Sequence, residues 1–341
     1  MSSSISSSDA LGPQTDAAAW SRWLAAFLGA LVLGAAAIFA LVLMVDPYDS
    51  GRFGILGIQG VYDESPRTAD ASRARDPQFD SAAFGNSTGQ LLKPTELSRL
   101  TGDRFVQLTV PGTGPREQLA IMDFFLRHHP RPGALVVVTD ASWCMRDPAL
   151  PLQHPFPFWL YGESTLDYAG RLFSARALGR TWRRVLLATG LRQRSAPDGY
   201  WDYEANGPGE FAPVIAPQSD AAPAAGPVSD FFPAAALLGD TLKKVPPDVP
   251  VVLVVPPAFY SMLAPPGSAA AAEENACKAA LKRVIAGRPR SSLIDYRVDN
   301  ALTRERANFM DSGHYRAIIA RRMEQGIAET IKFGDKAQIE F

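Results

Sequence analysis

Residues 134–139 read Ala-Leu-Val-Val-Val-Thr, and residues 251–255 read Val-Val-Leu-Val-Val. Both are short, continuous runs of apolar and mostly β-branched residues, which is typical of strands buried on both faces of a parallel sheet. Apolar residues at helical spacing precede the first run at 115–129, and the second run lies between helical patterns at about 232–244 and 269–286. This alternation predicts right-handed βαβ units and a parallel sheet covered by helices on both faces.

The same alternation extends outward over residues 78–333. Three further strands and two further helices are predicted, at 79–87, 104–110 and 292–296 and at 88–100 and 314–332. Five strands between two helical layers predict an α/β class fold, a three-layer α/β/α sandwich of flavodoxin-like order. In such a sheet, functional residues gather at the carboxyl ends of the strands.

One segment, at about 142–229, interrupts the alternation. It is rich in proline and aromatic residues and contains a single predicted helix at 166–191. It is too long for a connection between a strand and a helix. We therefore expect an inserted cap or an extended binding segment.

An uncharged apolar stretch, LAAFLGALVLGAAAIFALVLMV, occupies residues 24–45. As a helix it would be roughly 33 Å long, enough to cross a hydrocarbon core of about 30 Å. We therefore expect a transmembrane anchor at 23–45, a polar tail at 1–22, a linker at 46–77 and a C-terminal tail at 334–341. A cleaved signal peptide is the alternative, but its apolar region would be shorter and would end at a small-x-small site.

The placement of a short polar tail before the apolar stretch and a large domain after it predicts how the chain sits in the cell. We expect a single-pass protein of the inner membrane whose domain lies in the periplasm. Arg22 and Arg52 flank the stretch almost symmetrically, so the positive-inside rule barely contributes to this orientation.

Charge and cysteine content exclude several classes of protein. The 34 Lys and Arg residues nearly balance 35 Asp and Glu residues, without a basic tail, which argues against nucleic-acid binding. Only Cys144 and Cys277 are present, which excludes a cysteine zinc site and a disulfide scaffold. We expect two separate buried thiols, with one disulfide as the alternative in an oxidising compartment. The histidines lack ligand spacing, so no metal or other cofactor is expected.

Two short motifs contain groups suited to acid–base chemistry. In Gly85-Asn86-Ser87-Thr88-Gly89, the serine follows the first strand, where helix N-terminal amides would stabilise an adjacent anion. Near the C-terminus, Asp311-Ser312-Gly313-His314 spaces a carboxylate so that it can orient an imidazole. Taken separately, the serine is also explained as a helix cap, and the second motif as a cap followed by a surface histidine. Together they fall at the first and last units of one sheet, and therefore at its functional edge.

These motifs resemble those of the SGNH (GDSL-like) hydrolase superfamily over about residues 78–333. That family has a Gly-Asp-Ser block after its first strand, a glycine after its second, Gly-x-Asn-Asp after its third, and Asp-x-x-His near its end. The resemblance implies that Ser87 is the nucleophile, that His314 is its base and that Asp311 orients the base. It also implies an oxyanion hole formed by the backbone N–H of Ser87 and that of Gly112 or Gly114.

The chain departs from the family pattern at two positions. Asn86 replaces the aspartate beside the serine, and the third strand ends in Thr139-Asp140-Ala141-Ser142 without the asparagine that donates to the oxyanion. Similar departures occur in a membrane-tethered branch that resembles the alginate-acetylation and lipoteichoic-acid alanylation proteins. This implies an esterase or O-acyltransferase acting on acyl esters of an envelope glycan or a small ester, with a multi-pass membrane acyltransferase as a possible partner. The alternative is a non-catalytic envelope protein that binds glycan or scaffolds a polysaccharide-modifying complex.

The remaining histidines and the aromatic residues of the insertion have structural interpretations. His128 and His129 end a predicted helix, where they would interact with its dipole. His154 lies in the insertion together with many aromatic residues, which would form either a groove for a sugar or acyl group or a local core: Phe156, Phe158, Trp159, Tyr161, Tyr200, Trp201 and Tyr203.

Overall fold

Five parallel strands form one sheet in the computed structural model of the chain, which describes residues 17–62, 65–206 and 228–334. The strand order is β2-β1-β3-β4-β5, and every pairing is parallel. The strands are β1 Ser81–Gly85, β2 Phe105–Thr109, β3 Leu135–Val138, β4 Val251–Val255 and β5 Ser292–Asp295. The predicted α/β fold with a five-stranded parallel sheet is therefore confirmed. Most of the two predicted tails lies outside the described residues.

Helices cover both faces of this sheet. The described helices are α1 Ala17–Val45, α2 Pro66–Ala74, α3 Pro94–Thr101, α4 Pro115–His128, α5 Phe158–Tyr161, α6 Thr165–Leu172, α7 Ala175–Ala188, α8 Tyr203–Asn206, α9 Pro233–Leu242, α10 Ala269–Val284, α11 Ala301–Arg304 and α12 Ala317–Phe333. Alternate residues along each central strand face opposite layers. In β3, for example, Leu135 and Val137 belong to the core beneath α4, α9 and α10, whereas Val136 and Val138 belong to the core beneath α12. The continuous apolar runs in the sequence follow from this two-sided burial.

The apolar helix α1 is long enough to span a membrane. Most of its surface is exposed, as expected of a helix whose neighbours would be lipid, but its last turn is buried against the domain at Val42 and Val45. The C-terminal end of α1 is therefore part of the folded domain, and among the described residues no exposed linker separates the two.

The described residues of the stretch 46–77, which we expected to be a linker, pack onto the domain and include α2. Asp49 in this stretch is nearly fully buried and lies beside Arg75 and Arg184, at 2.5 and 3.1 Å. Burial raises the pKa of Asp49, but the two guanidinium groups and a hydrogen bond from Ser72 outweigh burial and hold that pKa below its usual value. The charged residues that suggested a linker at 46–77 therefore include members of a buried ion-pair network.

The helix predicted at 166–191 is two helices. The chain turns at Phe173 and Ser174, and the Ser174 hydroxyl accepts the N–H of Ala177 as the cap of α7. A serine at this position competes for backbone hydrogen bonds and so starts a new helix instead of continuing the old one.

Cys144 and Cys277 form a disulfide, so the expectation of two separate thiols is wrong. Cys144 lies in a short 3-10 turn after β3, and Cys277 faces it from α10, with the two Cα atoms 5.5 Å apart. The two cysteines are 133 residues apart in sequence, and only the packing of α10 against this turn brings them together.

Candidate active site

Ser87 lies immediately beyond the carboxyl end of β1, at the start of a 3-10 turn formed by residues 87–89. The turn lies close against β2 and β3. A Cβ atom at Gly85 would lie 3.0 Å from Val138, and one at Gly89 would lie 3.1 Å from the same side chain. The two glycines of the motif therefore allow the serine turn to approach the neighbouring strands closely.

Ser87, His314 and Asp311 form a continuous hydrogen-bonded chain. The Ser87 Oγ lies 2.9 Å from the His314 Nε2, and the His314 Nδ1 lies 2.8 Å from the nearer oxygen of Asp311. The Asp311 carboxylate also accepts the backbone N–H groups of Gly313 and His314, at 2.7 and 2.8 Å. These bonds fix the carboxylate, which in turn favours the histidine tautomer that carries its proton on Nδ1. The His314 Nε2 is then free to accept the serine proton.

Two tyrosines contact the residues around His314. The sequence gives no indication of Tyr315 as a site residue, whereas Tyr203 is one of the insertion aromatics expected in a groove or a local core. Tyr315 is nearly fully buried and donates its hydroxyl proton to the carbonyl oxygen of Thr88, so it ties the histidine loop to the serine turn. Burial raises its pKa, which keeps the hydroxyl protonated as a donor. The ring of Tyr203, from the insertion, lies 5.4 Å from the imidazole of His314. Burial, with a smaller effect of the Asp311 charge, also raises the pKa of Tyr203.

The two glycines after β2 have different surroundings. The N–H of Gly114 donates to the Glu117 carboxylate at 3.2 Å, in a capping arrangement at the start of α4. Gly112 has a φ of +66°, a conformation that favours glycine, and within the described residues its N–H and that of Ser87 have no hydrogen-bond acceptor. Of the two glycines, Gly112 is therefore the one whose N–H is available to an oxyanion.

The β2–α4 loop that carries Gly112 is supported from α2 and from the insertion. Arg67 donates to the carbonyl oxygen of Pro111 at 2.8 Å, and its own carbonyl oxygen accepts the hydroxyl of Tyr161. The His154 ring lies against Gly112, so that a Cβ there would approach it to 2.8 Å. The insertion therefore contacts the candidate oxyanion loop directly.

Asn86 and Asp140 form a pair at the two positions where the chain departs from the family pattern. The Asn86 Nδ2 donates to Asp140 at 2.5 Å and to the carbonyl oxygen of Thr113 at 3.3 Å. The other oxygen of Asp140 accepts the N–H and the hydroxyl of Ser142. The Asn86 amide is therefore committed to structural hydrogen bonds.

A cavity of about 420 Å³ lies beside Gln90, one turn after Ser87, and Pro111, next to Gly112. Its other side is a strap of the insertion, residues 195–201, whose Asp198 carbonyl oxygen accepts the N–H of Gln107 on the edge strand β2. Aliphatic, aromatic and polar residues line the cavity: Pro66, Arg73, Gln90, Pro111, Ser195, Ala196, Gly199, Tyr200 and Trp201. Ring contacts lead from Trp201 to Tyr203 and from Tyr203 to His314. The Gln90 Oε1 is buried without a partner among the described residues.

A second, more apolar cavity of about 230 Å³ lies on the other side of Asp140, against the disulfide and α10. Its rim carries an ion-pair cluster in which Lys278 contacts Glu274 and Asp295 at 2.7 and 2.9 Å. In the part of the chain that the structure describes, no three His, Cys, Asp or Glu side chains cluster closely enough to hold a metal ion.

His128 and His129 lie at the C-terminal end of α4, where they stack on Phe124 and Phe125. Burial lowers the pKa of both, so they are neutral at pH 7 and add little to any interaction with the helix dipole. The insertion aromatics divide into two groups. Phe156, Trp159 and Tyr161 join the local core, whereas Tyr200 and Trp201 line the cavity beside Gln90.

No protein-family model matches the chain, and no curated protein is significantly similar to it in sequence. The geometry of this site and the motif residues themselves are therefore the indications of its function.

Proposed function

We propose that this protein is a membrane-anchored serine esterase or O-acyltransferase that acts on acyl esters of an envelope glycan. The observation that carries the proposal is the hydrogen-bonded chain from Ser87 through His314 to Asp311. Nucleophile, base and orienting carboxylate are all within hydrogen-bonding distance, as general-base activation of a serine requires.

In the proposed reaction, His314 takes the proton of Ser87 while the serine oxygen attacks the ester carbonyl carbon. The backbone N–H groups of Ser87 and Gly112 stabilise the oxyanion, and His314 returns its proton to the departing alkoxide. Water or a glycan hydroxyl then gives its proton to His314 and attacks the acyl-enzyme. Ser87 recovers its proton when the acyl group leaves.

The cavity beside Gln90 supports a carbohydrate as acyl donor or acceptor. Tyr200 and Trp201 supply aromatic surface, whereas Arg73 and the unpartnered oxygen of Gln90 supply polar groups. Pockets that combine aromatic surface with a few placed polar groups fix the orientation of ligands such as sugar rings. A cavity on the path from Trp201 to His314 would place a sugar hydroxyl near the acyl group.

Two further observations support a location on the outer side of the inner membrane. The helix α1 is long and apolar enough to serve as a single-pass anchor. Disulfides such as Cys144–Cys277 persist in oxidising compartments such as the periplasm and are rare in the cytosol. A multi-pass membrane acyltransferase in the same membrane would supply acyl groups for transfer.

The test is covalent labelling by a fluorophosphonate probe, which reacts with activated serines. The full chain in detergent is the appropriate sample, since the last turn of α1 is buried in the domain. We expect wild type and the control His128→Ala to be labelled, and Ser87→Ala, His314→Ala and Asp311→Asn to lose most of the label. Asp311→Asn should be slower by about four orders of magnitude, because the histidine loses its tautomer control. Equal labelling of Ser87→Ala and wild type would refute the proposal.

The alternative is a non-catalytic envelope protein that binds glycan through the same cavity. The observation that favours it is that residues 139–142 contain no asparagine to donate to an oxyanion, while the neighbouring Asn86 amide is committed to structural hydrogen bonds with Asp140 and Thr113. Loss of one such donor costs about 2.7–4 kcal/mol of transition-state stabilisation. Under this alternative, a well-folded wild type is not labelled, and Trp201→Ala abolishes glycan binding while Ser87→Ala does not.

A further inference from the structure

The hairpin of α6 and α7, residues 165–188, packs against the C-terminal part of α1. The ring of Phe173, at the turn of the hairpin, contacts that of Phe39 in α1, with centroids 5.8 Å apart. An apolar groove of about 250 Å³ runs along this contact between the hairpin and α1. It is lined by Ile38, Phe39, Val42, Leu172, Phe173, Ser174, Ala175 and Leu178.

The position of Phe39 along α1 determines how deep the hairpin lies. Phe39 precedes Val45, the last residue of α1, by six positions, or about 9 Å along the helix axis. If α1 spans the bilayer, the apolar stretch that ends at Val45 is only slightly longer than the hydrocarbon core of about 30 Å. With the stretch centred in the core, Phe39 and the Phe173 ring beside it lie roughly 7 Å inside the edge of the hydrocarbon, in the outer part of the acyl region.

The hairpin has the surface expected at that depth. Large apolar side chains point away from the protein, with Leu166, Phe173 and Trp182 exposed by 86, 73 and 62%. On α7, Leu178 and Trp182 share one face at a spacing of four residues, whereas Arg176 and Arg183 lie on the opposite face. Within the described residues, neither of these two arginines has an acidic partner.

A buried arginine fixes the hairpin relative to α1. Arg184 of α7 is only 2% exposed and donates to the carbonyl oxygens of Val45, Asp46 and Ile58, as well as to the Asp49 carboxylate. Because this guanidinium joins α7 to the residues where α1 ends, the hairpin cannot swing away from the membrane while α1 stays in it.

We propose that the α6–α7 hairpin is a membrane-docking surface whose occupant is the bilayer itself, with anionic lipids at the arginines. Leu166, Phe173, Leu178 and Trp182 enter the outer part of the acyl region, while Arg176 and Arg183 reach the headgroup phosphates. The chain thus lies on the membrane through an amphipathic hairpin in addition to crossing it. This inference depends on α1 spanning the membrane and is independent of the proposed chemistry.

The test uses the full chain in lipid nanodiscs that contain phosphatidylglycerol and nitroxide-labelled lipids. Both native cysteines are paired, so an introduced cysteine alone takes a fluorescent thiol label. We would label Leu178→Cys and Trp182→Cys, with Leu237→Cys on α9 as the exposed apolar control and Leu31→Cys within α1 as the membrane control. We expect lipid nitroxides to quench positions 178 and 182 strongly, at a depth of about 5–10 Å, and position 237 hardly at all.

Three results would overturn parts or all of the proposal. Equal quenching at 178 and 237, with strong quenching at 31, would refute docking onto the bilayer. Protection of position 178 from aqueous iodide without lipid quenching would mean that a second protein copy covers the surface, which also refutes it. In the double variant Arg176→Glu, Arg183→Glu, quenching at 178 should fall in phosphatidylglycerol discs. Unchanged quenching would refute the role of anionic headgroups.

Discussion

Replacing Asn86 by aspartate would test whether the hydrogen bond between Asn86 and Asp140, beside Ser87, determines the stability of the site. Asn86 is 7% exposed and donates to Asp140 at 2.5 Å. In Asn86→Asp, two carboxyl groups face each other across this distance. The two bonds from the N–H and hydroxyl of Thr88 to the residue-86 side-chain oxygen can remain. The variant therefore changes only the contacts of the residue-86 amide nitrogen, with Asp140 and with the carbonyl oxygen of Thr113, while keeping the shape of the serine turn.

The expected cost follows from two independent estimates. If both carboxylates stay ionised and move apart until their charges are about 4 Å from each other, they repel by about 4 kcal/mol at an effective dielectric constant of about 20. If one of them holds a proton at pH 7, it does so about three pH units above an ordinary aspartate pKa, which costs roughly 4 kcal/mol at about 1.4 kcal/mol per unit. Both estimates give about 4 kcal/mol, or a loss of roughly 8–16 °C in Tm for a domain of this size.

The pH dependence of this penalty has a definite sign. The facing carboxyl pair has a raised pKa in the folded state and an ordinary pKa in the unfolded state. Stability is therefore retained at low pH and lost as the pH rises through the raised pKa of the pair. We expect Asn86→Asp to melt close to wild type at pH 4.5 and far below it at pH 7.

The double variant Asn86→Asp, Asp140→Asn completes a double-mutant cycle with the two single variants. It restores one hydrogen bond with its direction reversed, so its Tm at pH 7 should return to within a few degrees of wild type. The single variant Asp140→Asn has one acceptor oxygen for both the Asn86 amide and the Ser142 N–H, so it leaves a donor unpaired and should cost about 1–3 kcal/mol. The assay is thermal unfolding of the full chain in detergent at the two pH values. A double variant no more stable than Asn86→Asp would refute the pairing.

Three further predictions concern stability, and each is measured by thermal unfolding of the full chain. Arg184→Met should cost about 3–5 kcal/mol because it leaves the buried Asp49 charge and several carbonyl oxygens poorly paired, whereas exposed Arg183→Met should change Tm little; equal effects would contradict the buried network. Burial raises the pKa of Glu324 to about 8, so its contribution to stability is present at low pH and lost as the pH rises through 8. The Tm of wild type should therefore fall as the pH rises toward 8 and then level off, whereas Glu324→Gln should lack this decline; parallel pH profiles would contradict this. Replacing Cys144 and Cys277 by serine should cost up to about 5 kcal/mol, because the disulfide closes a loop of over a hundred residues, and addition of a reductant should lower Tm of wild type but not of this variant.

The strands of the sheet were predictable because local sequence patterns indicate them. Runs such as residues 251–255 are buried on both faces, and only strands of a covered parallel sheet combine that length with that composition. Chain order then places the ends of β1 and the last loop at one edge of the sheet. This topology permits Ser87 and His314 to come within hydrogen-bonding distance, and the structure places the two side chains 2.9 Å apart.

Features that depend on contacts between distant segments could not be predicted. The pairing of Cys144 with Cys277 requires α10 to lie against the turn after β3, and no local pattern encodes that. Tyr315 lies next to His314 in sequence, but its bond to Thr88 spans 227 residues. Arg184 appears in the sequence as one arginine of an amphipathic helix, indistinguishable from Arg183 beside it. Only its position on the inner face of α7 makes it the buried partner of Asp49.

The insertion contacts both the proposed membrane anchor α1 and the candidate site around His314. Its first part, α6 and α7, is fixed to the end of α1 by Arg184, while its later strap carries Trp201 and Tyr203 to the candidate site. A loop that served only as a lid over Ser87 would not need buried hydrogen bonds to the membrane helix. A segment that served only to contact the membrane around α1 would not need aromatic contacts that lead to His314. Because one segment makes both sets of contacts, insertion of α1 in a bilayer would hold the candidate site at a fixed height above it, where the proposed envelope substrate would lie.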